Sequence, residues 1–547
     1  MHLLLRFSNT VRLKSSLLVG VPMVLAAFTH LWSPIGFPSI YVDEAHYMRR
    51  AMNILEGQGP QESAKVYHHP YDHPYFGQLF LASILGVFDY PNSLNLSGSG
   101  NTEQSIEMLY MFPRIVMGIL AVIDTLFVFK IAERRYSKKV AFIASILFAV
   151  MPLGWFVRRI WLESIQLPLL LASILLVTRG SNKQKTNNVS RDTKEDRILL
   201  VLISGILLGL SIFTKVPAVT MIPLVGYLVY TANNRNLMML GLWSIPVISI
   251  ALVWPAFAFS HGQFDVWSAD LLWQASRAGE GDTVSEVIID LFKIDPILLI
   301  LGAAGIILSV IKKDLFLFLW TLPYIIFSYS VVHSSYWYFI PLLPAFCIGA
   351  ARLIEIITST VGRKEVQQFM TFGIVLVIAI FGFVSTTMLI TTNVSSSYFK
   401  AAAYIVHNLP ILNGYNENQV LVTGGSGLAS YTWIPLQIIE LNHDYRMLHI
   451  LFSSNPTATN ATEALFVVDK LFDNTMKALM NLQKNHELGS LQQLLQVYNS
   501  TETIATFEGN TNRNDTETYP YFAMKFNNQL TPSGPDRIDI RSNYHPT

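Results

Sequence analysis

Long apolar segments recur along the first 392 residues, and short polar stretches separate them. Most are close to the ~20 residues that an α-helix needs to cross the hydrocarbon core of a bilayer. The pattern therefore predicts an α-helical polytopic membrane protein with about eleven transmembrane helices. The predicted spans are 15–33, 108–132, 140–157, 164–178, 198–214, 216–231, 238–259, 293–311, 315–332, 335–353 and 368–391.

One apolar segment, from Tyr75 to Phe88, is too short to cross a bilayer and favours a helix lying in the membrane interface. It follows residues 68–74, a segment of histidine, proline and tyrosine that is unsuited to the interior of a helix. We therefore predict a long first outer loop over about residues 34–107, partly embedded in the membrane, and favour a functional role over that of a simple connector.

Beyond residue 392 the sequence becomes rich in Asn, Thr and Ser. Val420–Gly427 is typical of a buried strand that runs into a glycine turn, Ala464–Val468 of a second strand, and 470–497 of helices. The pattern predicts a transmembrane domain over 1–392 and a soluble α/β domain over 393–547. The glycine turn lacks the spacing of the known nucleotide-binding loops, so we do not interpret it as one.

Composition supports a membrane protein and excludes other classes. The chain is 51% hydrophobic and only 14% charged, against about 25% charged residues in a typical soluble protein. A formal net charge of +1 gives no indication of a nucleic-acid partner. The single cysteine, Cys347, lies inside a predicted span, which excludes a disulfide framework and a cysteine-based metal site.

Basic residues set the predicted orientation. Lys and Arg cluster around residues 134–139, 179–197, 312–313 and 363–364. With the N-terminus in the cytoplasm, all four clusters lie on the cytoplasmic side, as the positive-inside rule requires. An odd number of spans then makes the C-terminal domain extracytoplasmic. Of six Asn-x-Ser/Thr sites, all except the one at Asn188 fall outside in this arrangement.

Ionisable residues gather on the outer side of the predicted membrane. Asp43 and Glu44 follow the first span in Tyr41-Val-Asp-Glu-Ala-His-Tyr47. Such a pair belongs either to a solvated helix start or to a functional site. Basic residues on the same side, against the positive-inside trend, favour the functional interpretation. The charged residues placed there are Arg114, Arg158, Arg159, Glu163 and Lys215.

These residue types fit one kind of chemistry. A carboxylate can act as a general base that takes a proton from an incoming hydroxyl or amine. Arginine and lysine can hold a phosphate and stabilise its charge as it leaves. The combination predicts transfer of a group from a lipid-linked phosphate to an acceptor at the outer membrane face.

Six segments, in order along residues 1–350, resemble the GT-C glycosyltransferases, in the branch of the protein O-mannosyltransferases and the lipid A aminoarabinose transferases. The motifs are specific for the superfamily and not for a substrate. They are Asp43-Glu44, the His-Pro segment before the interfacial helix, Pro113-Arg114, Arg158-Arg159-Ile-Trp-Leu-Glu163, Gly205–Lys215 and Tyr336–Pro344.

The resemblance implies a membrane glycosyltransferase. It would move a hexosyl (mannosyl) or pentosyl group from a polyprenyl-phosphate or dolichyl-phosphate donor to a protein, lipid or glycan acceptor. Asp43 would be the base, Glu44 would support it, and Glu163 would orient the acceptor or donor. The implied phosphate-binding residues are Arg114, Arg158, Arg159 and Lys215, although the sequence does not distinguish which of Arg158 and Arg159 faces the cavity. Candidate acceptor or cavity residues are His69, His73, Tyr336 and Tyr338, although an aromatic belt at the interface explains the two tyrosines equally well.

The chain also departs from the family pattern. The outer loop over about 260–292 is too short for the β-trefoil domain of eukaryotic protein mannosyltransferases, which favours a prokaryotic relative and leaves the acceptor open. No Trp-Trp-Asp-Tyr-Gly motif occurs in the C-terminal domain, which argues against an oligosaccharyltransferase. An Asp-Glu pair replaces the Asp-x-Asp of metal-dependent members, so we expect no divalent metal and no other cofactor.

Two further groups of residues have alternative interpretations. His68, His69, Asp72 and His73 have the residue types of a metal site, but we favour interfacial or acceptor contacts for them. The acidic loop, with Asp265, Asp270, Arg277, Glu280 and Asp282, is either a flap over the donor site or a solvated loop, and we favour the solvated loop.

Two other functions compete with the enzyme. A transporter or lipid flippase would show inverted repeats and acids deep in the spans, whereas the charges cluster at one surface and Asp124 is the clearest acid in mid-span. A scaffold protein with a large outer domain would not need the ordered charges. We therefore favour the glycosyltransferase.

Overall fold

A computed structural model of the chain describes a part of its 547 residues, and the statements that follow concern this part. The described ranges are 15–61, 69–94, 102–182, 194–277, 282–330, 335–412, 420–424, 434–435, 463–468, 476, 498–509 and 537–542.

Helices form nearly all of the N-terminal part. They are α1 (Ser15–Leu31), α2 (Val42–Leu55), α3 (Phe76–Val87), α4 (Thr102–Arg135), α5 (Lys138–Val150), α6 (Leu162–Asn182), α7 (Lys194–Thr214), α8 (Ile222–Ala232), α9 (Leu237–Ala251), α10 (Val253–Ser260), α11 (Phe264–Ser276), α12 (Val284–Ile294), α13 (Pro296–Ile311), α14 (Leu315–Ser330), α15 (Leu343–Ser359), α16 (Lys364–Ile390) and α17 (Ser396–Leu412). Three 3-10 segments join them: Pro152–Arg158, Val216–Met221 and Tyr336–Leu342.

Every predicted span coincides with one of these helices or with neighbouring helical segments. Among the described residues, five helical stretches are long and apolar enough to cross a membrane, and counting each of two bent pairs as one span raises the number to seven. One bent pair is α5 with its 3-10 segment (68°), the other α13 with α14 (119°). The protein is a helical multi-pass membrane protein, and the count of eleven spans stays a prediction.

The helix predicted in the first outer loop is present as α3, a helix of 12 residues without a charged side chain. It packs against α2 and α4. Gly77 faces Leu162 at the start of α6, where an added Cβ would lie 2.4 Å from the leucine side chain. The first outer loop is therefore packed against the helical bundle at the place where α2 and α6 begin.

The C-terminal part contains a four-stranded sheet of β1 (Val420–Gly424), β2 (Glu463–Val468), β3 (Glu502–Glu508) and β4 (Arg537–Ser542) in the order β1-β2-β4-β3. β1 and β2 are parallel, and the other pairs are antiparallel. The two strands predicted from sequence are confirmed, whereas β3 and β4 were missed. The helices predicted over 470–497 lie outside the described residues, and the two-domain division stays a prediction.

A buried ion pair closes the connection between α1 and α2. The guanidinium of Arg114, on α4, donates to both carboxylate oxygens of Glu44, at 3.0 and 2.7 Å. Its remaining N–H groups donate to the backbone carbonyls of Pro34, Pro38 and Ser39 at 2.7–3.3 Å. Neither side chain is exposed. One arginine thus holds the turn before α2 and the first turn of α2 itself.

Small residues allow close packing of α13 and α15. An ideal Cβ on Gly305 would lie 2.0 Å from the carbonyl oxygen of Gly349, and one on Gly302 would lie 2.5 Å from the ring of Phe346. Contact between helices through small residues is a common device of membrane proteins, because it brings the backbones within van der Waals distance.

The Gly305→Ala substitution should therefore lower the free energy of unfolding by about 1–3 kcal/mol, since the two helices must move apart. The matched control is Gly241→Ala on α9, where an added Cβ meets nothing within 4 Å. Thermal unfolding in detergent should show a lower midpoint for Gly305→Ala and an unchanged or slightly higher one for Gly241→Ala. Equal midpoints for the two variants would contradict the close packing.

The Glu44→Ala substitution should destabilise the protein by about 3–5 kcal/mol, because it leaves the buried Arg114 charge without its carboxylate. Glu133→Ala is the control: it removes an ion pair with Lys130 whose side chains are 21% and 36% exposed, so it should cost at most about 1 kcal/mol. Denaturation of both variants in the same detergent measures the difference. A cost for Glu44→Ala as small as that of the control would contradict the assigned role.

Candidate active site

Asp43 and Glu44 are neighbours in the first turn of α2, but their surroundings differ. The Glu44 carboxylate is fully buried and also accepts hydrogen bonds from the backbone N–H groups of Ile160 and Tyr41, each at 3.0 Å. The Asp43 side chain is partly exposed and has no hydrogen bond or ion pair among the described residues. The Glu44 carboxylate thus has a structural role, and the Asp43 carboxylate is available to a substrate.

The charges around Asp43 come from three separate parts of the chain. Burial raises the pKa of Asp43, and the nearby carboxylates of Glu163 and Asp72 raise it further. Lys215 and His46 act in the opposite direction, with Lys215 the stronger of the two. The net result is a carboxyl group with a raised pKa, as expected for an acid that has to exchange protons near neutral pH.

Glu163 and Lys215 form a buried ion pair beside Asp43. The Lys215 Nζ lies 2.5 Å from Glu163 Oε1, and both side chains are at least 94% buried. Burial alone would lower the pKa of Lys215, but Glu163, Tyr338 and Asp43 together more than offset this, so that the pKa is raised. The lysine is therefore a permanent cation that already has a carboxylate partner.

Helix α6 positions both members of this pair. Glu163 lies in its first turn. One turn on, the amide of Gln166 donates to the backbone carbonyls of Ser211 and Lys215 at 3.1 and 2.5 Å. Lys215 itself has an extended backbone between α7 and a 3-10 segment that starts Val216-Pro217. The helix cannot continue through Pro217, because proline has no N–H to donate to the preceding turn. The lysine is fixed at its backbone as well as at its ammonium group.

The two candidate tyrosines belong to the 3-10 segment before α15, and only Tyr338 contacts the ion pair. Its ring centroid lies 4.9 Å from Lys215 Nζ, and its backbone carbonyl accepts a hydrogen bond from the Tyr324 hydroxyl at 2.8 Å. Tyr336 is buried against Trp337 and Phe156. Tyr338 is thus a wall of the site, and Tyr336 packs behind it.

Arg158 and Arg159, which the sequence did not distinguish, point to different surroundings. Arg158 donates to the backbone carbonyls of Trp32 and Ser33 at the end of α1. Arg159 lies within 5.1–5.3 Å of the rings of Tyr41, Trp155 and Trp161. Its Nε and Nη1 atoms have no hydrogen-bond partner among the described residues. The Nε and Nη1 atoms of Arg158 are also without a partner there, so both arginines have donors left for a ligand, and their surroundings alone differ.

Arg114, also predicted to bind phosphate, has no N–H group left for it. All of its donors are used by Glu44 and by three backbone carbonyls, and the side chain is not exposed. The motif that suggested a phosphate contact therefore marks a residue that holds the first outer loop in place. Its role in binding the donor phosphate stays a prediction that this geometry does not favour.

The first outer loop adds a buried polar cluster that the sequence interpretation overlooked. Asp72 lies 2.8 Å from Arg50 Nη1 and 3.7 Å from His46 Nε2, both on α2. Burial would raise the pKa of Asp72, but Arg50 and the neighbouring histidines hold it well below its usual range. The His73 side chain is partly exposed, and desolvation by the surrounding protein lowers its pKa to about 3, so it is neutral at pH 7. The sequence did contain a signal for this cluster. His46 and Arg50 follow Asp43 by three and seven residues, which is the spacing of side chains on one face of a helix.

His69 does not join this cluster but binds the later outer loop. Its Nδ1 lies 2.9 Å from Asp270, its ring stacks on Trp273 at 3.6 Å, and Asp270 also accepts from the backbone N–H of Tyr71 at 2.7 Å. The interpretation of the acidic loop as fully solvated is wrong for Asp270, which is buried on α11. Glu280 and His68 lie outside the described residues.

No group of three His, Cys, Asp or Glu side chains in the described part of the chain has an arrangement that could hold a metal ion. Asp72 has Arg50 as its partner, and His69 has Asp270. The prediction that the reaction needs neither a divalent metal nor another cofactor remains a prediction.

Comparisons with known proteins agree with the motifs. A family model described as dolichyl-phosphate-mannose-protein mannosyltransferase matches residues 107–259. A comparison with curated proteins gave no match. The crystal structure of ArnT from Cupriavidus metallidurans in the apo state is similar with a TM-score of 0.54 and 12% identity, covering 97% of this chain and 98% of that one. The same protein bound to undecaprenyl phosphate gives 0.52 and 11%, with 97% and 99% covered.

An oligosaccharyltransferase from Archaeoglobus fulgidus, tethered to an acceptor peptide, is similar with a TM-score of 0.52 and 11% identity. The match covers 81% of this chain but only 65% of the oligosaccharyltransferase. At such identities the structures show the fold alone. The chain has the fold of the GT-C glycosyltransferases, and the resemblance to the branch of ArnT and the protein mannosyltransferases that its motifs predicted is confirmed.

Proposed function

We propose that this protein is a glycosyltransferase that moves a monosaccharide from a polyprenyl-phosphate-linked donor to an acceptor at the outer membrane face. The observation that carries the proposal is that a partly exposed carboxylate, Asp43, lies within electrostatic range of a buried cation, Lys215. A base and a phosphate-binding cation at one site are what this transfer needs. ArnT, which has this fold, was crystallised with undecaprenyl phosphate, the phosphate of a lipid of this class.

In the proposed reaction the acceptor hydroxyl attacks the anomeric carbon as the bond from that carbon to the phosphate oxygen breaks. The acceptor proton passes to the Asp43 carboxylate, and the polyprenyl phosphate leaves as an anion. Lys215 stabilises the charge that grows on the departing phosphate, and the Tyr338 ring limits where that phosphate can lie. Such a one-step displacement needs no covalent nucleophile on the protein.

The other predicted site residues take different roles in this proposal. Glu44 and Arg114 are positioning residues, because they are buried and bonded to each other. Arg158 and Arg159 are equal second candidates for the donor phosphate, since Nε and Nη1 of each have no hydrogen-bond partner among the described residues. His73 lies within electrostatic range of Asp72 and Lys215, so it remains a candidate for acceptor contact.

We also propose the orientation that the charges predict. The N-terminus is cytoplasmic, and the α1–α2 connection, the start of α6 and the C-terminal part lie on the opposite side of the cell membrane. The acceptor is a protein, lipid or glycan reached from that side, and the sugar is a hexose such as mannose or a pentose. The family model over residues 107–259 favours mannose among these.

The Asp43→Asn substitution should reduce the rate of sugar transfer by about 10²–10⁴-fold, because the amide cannot accept the acceptor proton. The assay uses purified protein in detergent, radiolabelled dolichyl-phosphate mannose, glucose or pentose in turn, and an extract of the source membranes as acceptor. The thermal midpoint should stay close to that of the wild type, because Asp43 holds no other described residue.

The control for this experiment is Asp265→Asn, the same chemical change at an exposed position in the first turn of α11, which should keep full activity. Unchanged transfer by Asp43→Asn would refute the assignment of the base. If none of the three donors supports transfer by the wild-type protein, the proposed enzyme itself is refuted.

The pH dependence of sugar transfer should reflect the ionisation of Asp43. Because the pKa of Asp43 is raised and the base works only when ionised, kcat/KM should fall as the pH drops, with a midpoint above the ordinary value of about 4. A series of assays from pH 4.5 to 8 measures this acid limb. The residual activity of Asp43→Asn should lack the limb, and a limb that persists in that variant would belong to another group.

A further inference from the structure

We propose that Glu163 and the phosphate of the lipid donor compete for Lys215, so that the donor displaces Glu163 from the lysine when it binds. This inference rests on the proposed function and adds to it a residue that sets the affinity for the lipid phosphate. Glu163 would thus act on the donor through Lys215, and its carboxylate would become available to the substrates once the donor is in place.

Lys215 already has an anionic partner. Its Nζ is 2.5 Å from Glu163 Oε1, and the two side chains are 6% and 4% exposed. An ammonium group that is buried and paired in this way cannot bind a second anion at full strength while the first one stays, because the two anions repel each other at close range.

The lysine cannot leave its position to meet the phosphate elsewhere. Its backbone carbonyl is held by the Gln166 amide, the next residue but one is Pro217, and the ammonium group lies over the Tyr338 ring at 4.9 Å. The phosphate must therefore come to Lys215, and Glu163 is the member of the pair that has to move.

Lys215 is the cation that acts in the proposed transfer. Of the charged groups near Asp43, Lys215 has the largest influence on its pKa. Arg114 and Arg158 are bonded to backbone carbonyls of the α1–α2 connection. We therefore assign Lys215 as the cation that meets a phosphate leaving a sugar next to Asp43.

Displacement from Lys215 would also give Glu163 a second role, as a partner of the substrates. Its carboxylate lies within electrostatic range of Asp43. Once Lys215 is bonded to the phosphate, the freed Glu163 carboxylate can accept a hydrogen bond from a hydroxyl of the sugar or of the acceptor. The exchange thereby couples donor binding to the formation of a hydrogen-bonding site next to the base.

The test measures binding of undecaprenyl phosphate to the purified full-length protein in detergent, by native mass spectrometry. Glu163→Gln keeps the shape of the side chain but removes the competing charge, so the Kd should fall by about tenfold, the equivalent of about 1.4 kcal/mol. Lys215→Met should raise the Kd by at least as much. Glu103→Gln, at a partly exposed position in the first turn of α4, is the matched control and should bind like the wild type.

A double-variant cycle excludes an indirect effect. If Glu163 acts through the lysine, Glu163→Gln/Lys215→Met should bind no more tightly than Lys215→Met alone. The neutral polyprenol, which has no phosphate, should bind equally to all variants. Should Glu163→Gln fail to fold, Glu163→Asp, which lengthens the distance to the ammonium group, should give a smaller gain in affinity.

The possible failures are distinguishable. If the wild-type protein does not bind undecaprenyl phosphate and transfers no sugar from the polyprenyl-phosphate donors, the proposed function is refuted. If it binds but Glu163→Gln binds equally or more weakly, only the exchange is overturned, and Glu163 is a fixed partner that keeps Lys215 in place.

Discussion

The buried contact between Glu44 and Arg114 is the constraint on which the rest of the candidate site depends. The carboxylate receives both N–H groups of one edge of the guanidinium and two backbone N–H groups, while the arginine also binds three carbonyls of the preceding turn. Two charges removed from water are tolerated only when they are paired and fully hydrogen-bonded. The pair meets this condition, and in doing so it fixes the start of α2 against α4 and against the connection that leads to α6.

Asp43 obtains its properties from this arrangement. Consecutive residues of a helix point about 100° apart, so Glu44 can face the protein interior while Asp43 stays partly exposed. Since Glu44 satisfies the nearby arginine and the nearby N–H groups, none of them competes for Asp43. The same geometry explains why two acids adjacent in sequence have different roles: one is a structural partner with no exposed surface, and the other is partly exposed with a raised pKa.

The sequence predicted the helices well, because apolar runs near the length of a span depend on local composition alone. It also grouped Asp43, Glu163 and Lys215 from the charge pattern, and the structure brings these three together. It did not foresee partners from distant segments: Arg114 is bonded to Glu44, and Asp270 is buried against His69. Strands β3 and β4 were missed because short polar strands such as Arg537–Ser542 have little hydrophobic pattern to identify them. Tertiary pairing decides such cases, and one sequence does not reveal it.

Arg114 and Lys215 already have partners within the protein, and this affects which phosphate-bearing lipids of the membrane the site can bind. An unpaired cation near the outer leaflet would attract the phosphate of any phospholipid, because these phosphates are abundant and the interface screens charge poorly. Here Arg114 has every N–H group bonded within the protein, and Lys215 is paired with Glu163 at 2.5 Å. Under the proposed exchange, a lipid gains the contact with Lys215 only if its other contacts compensate for displacing Glu163. An ordinary phospholipid lacks the sugar that would reach Asp43 and the freed carboxylate, so the ion pair would favour a glycosylated donor over the far more numerous phosphates around it.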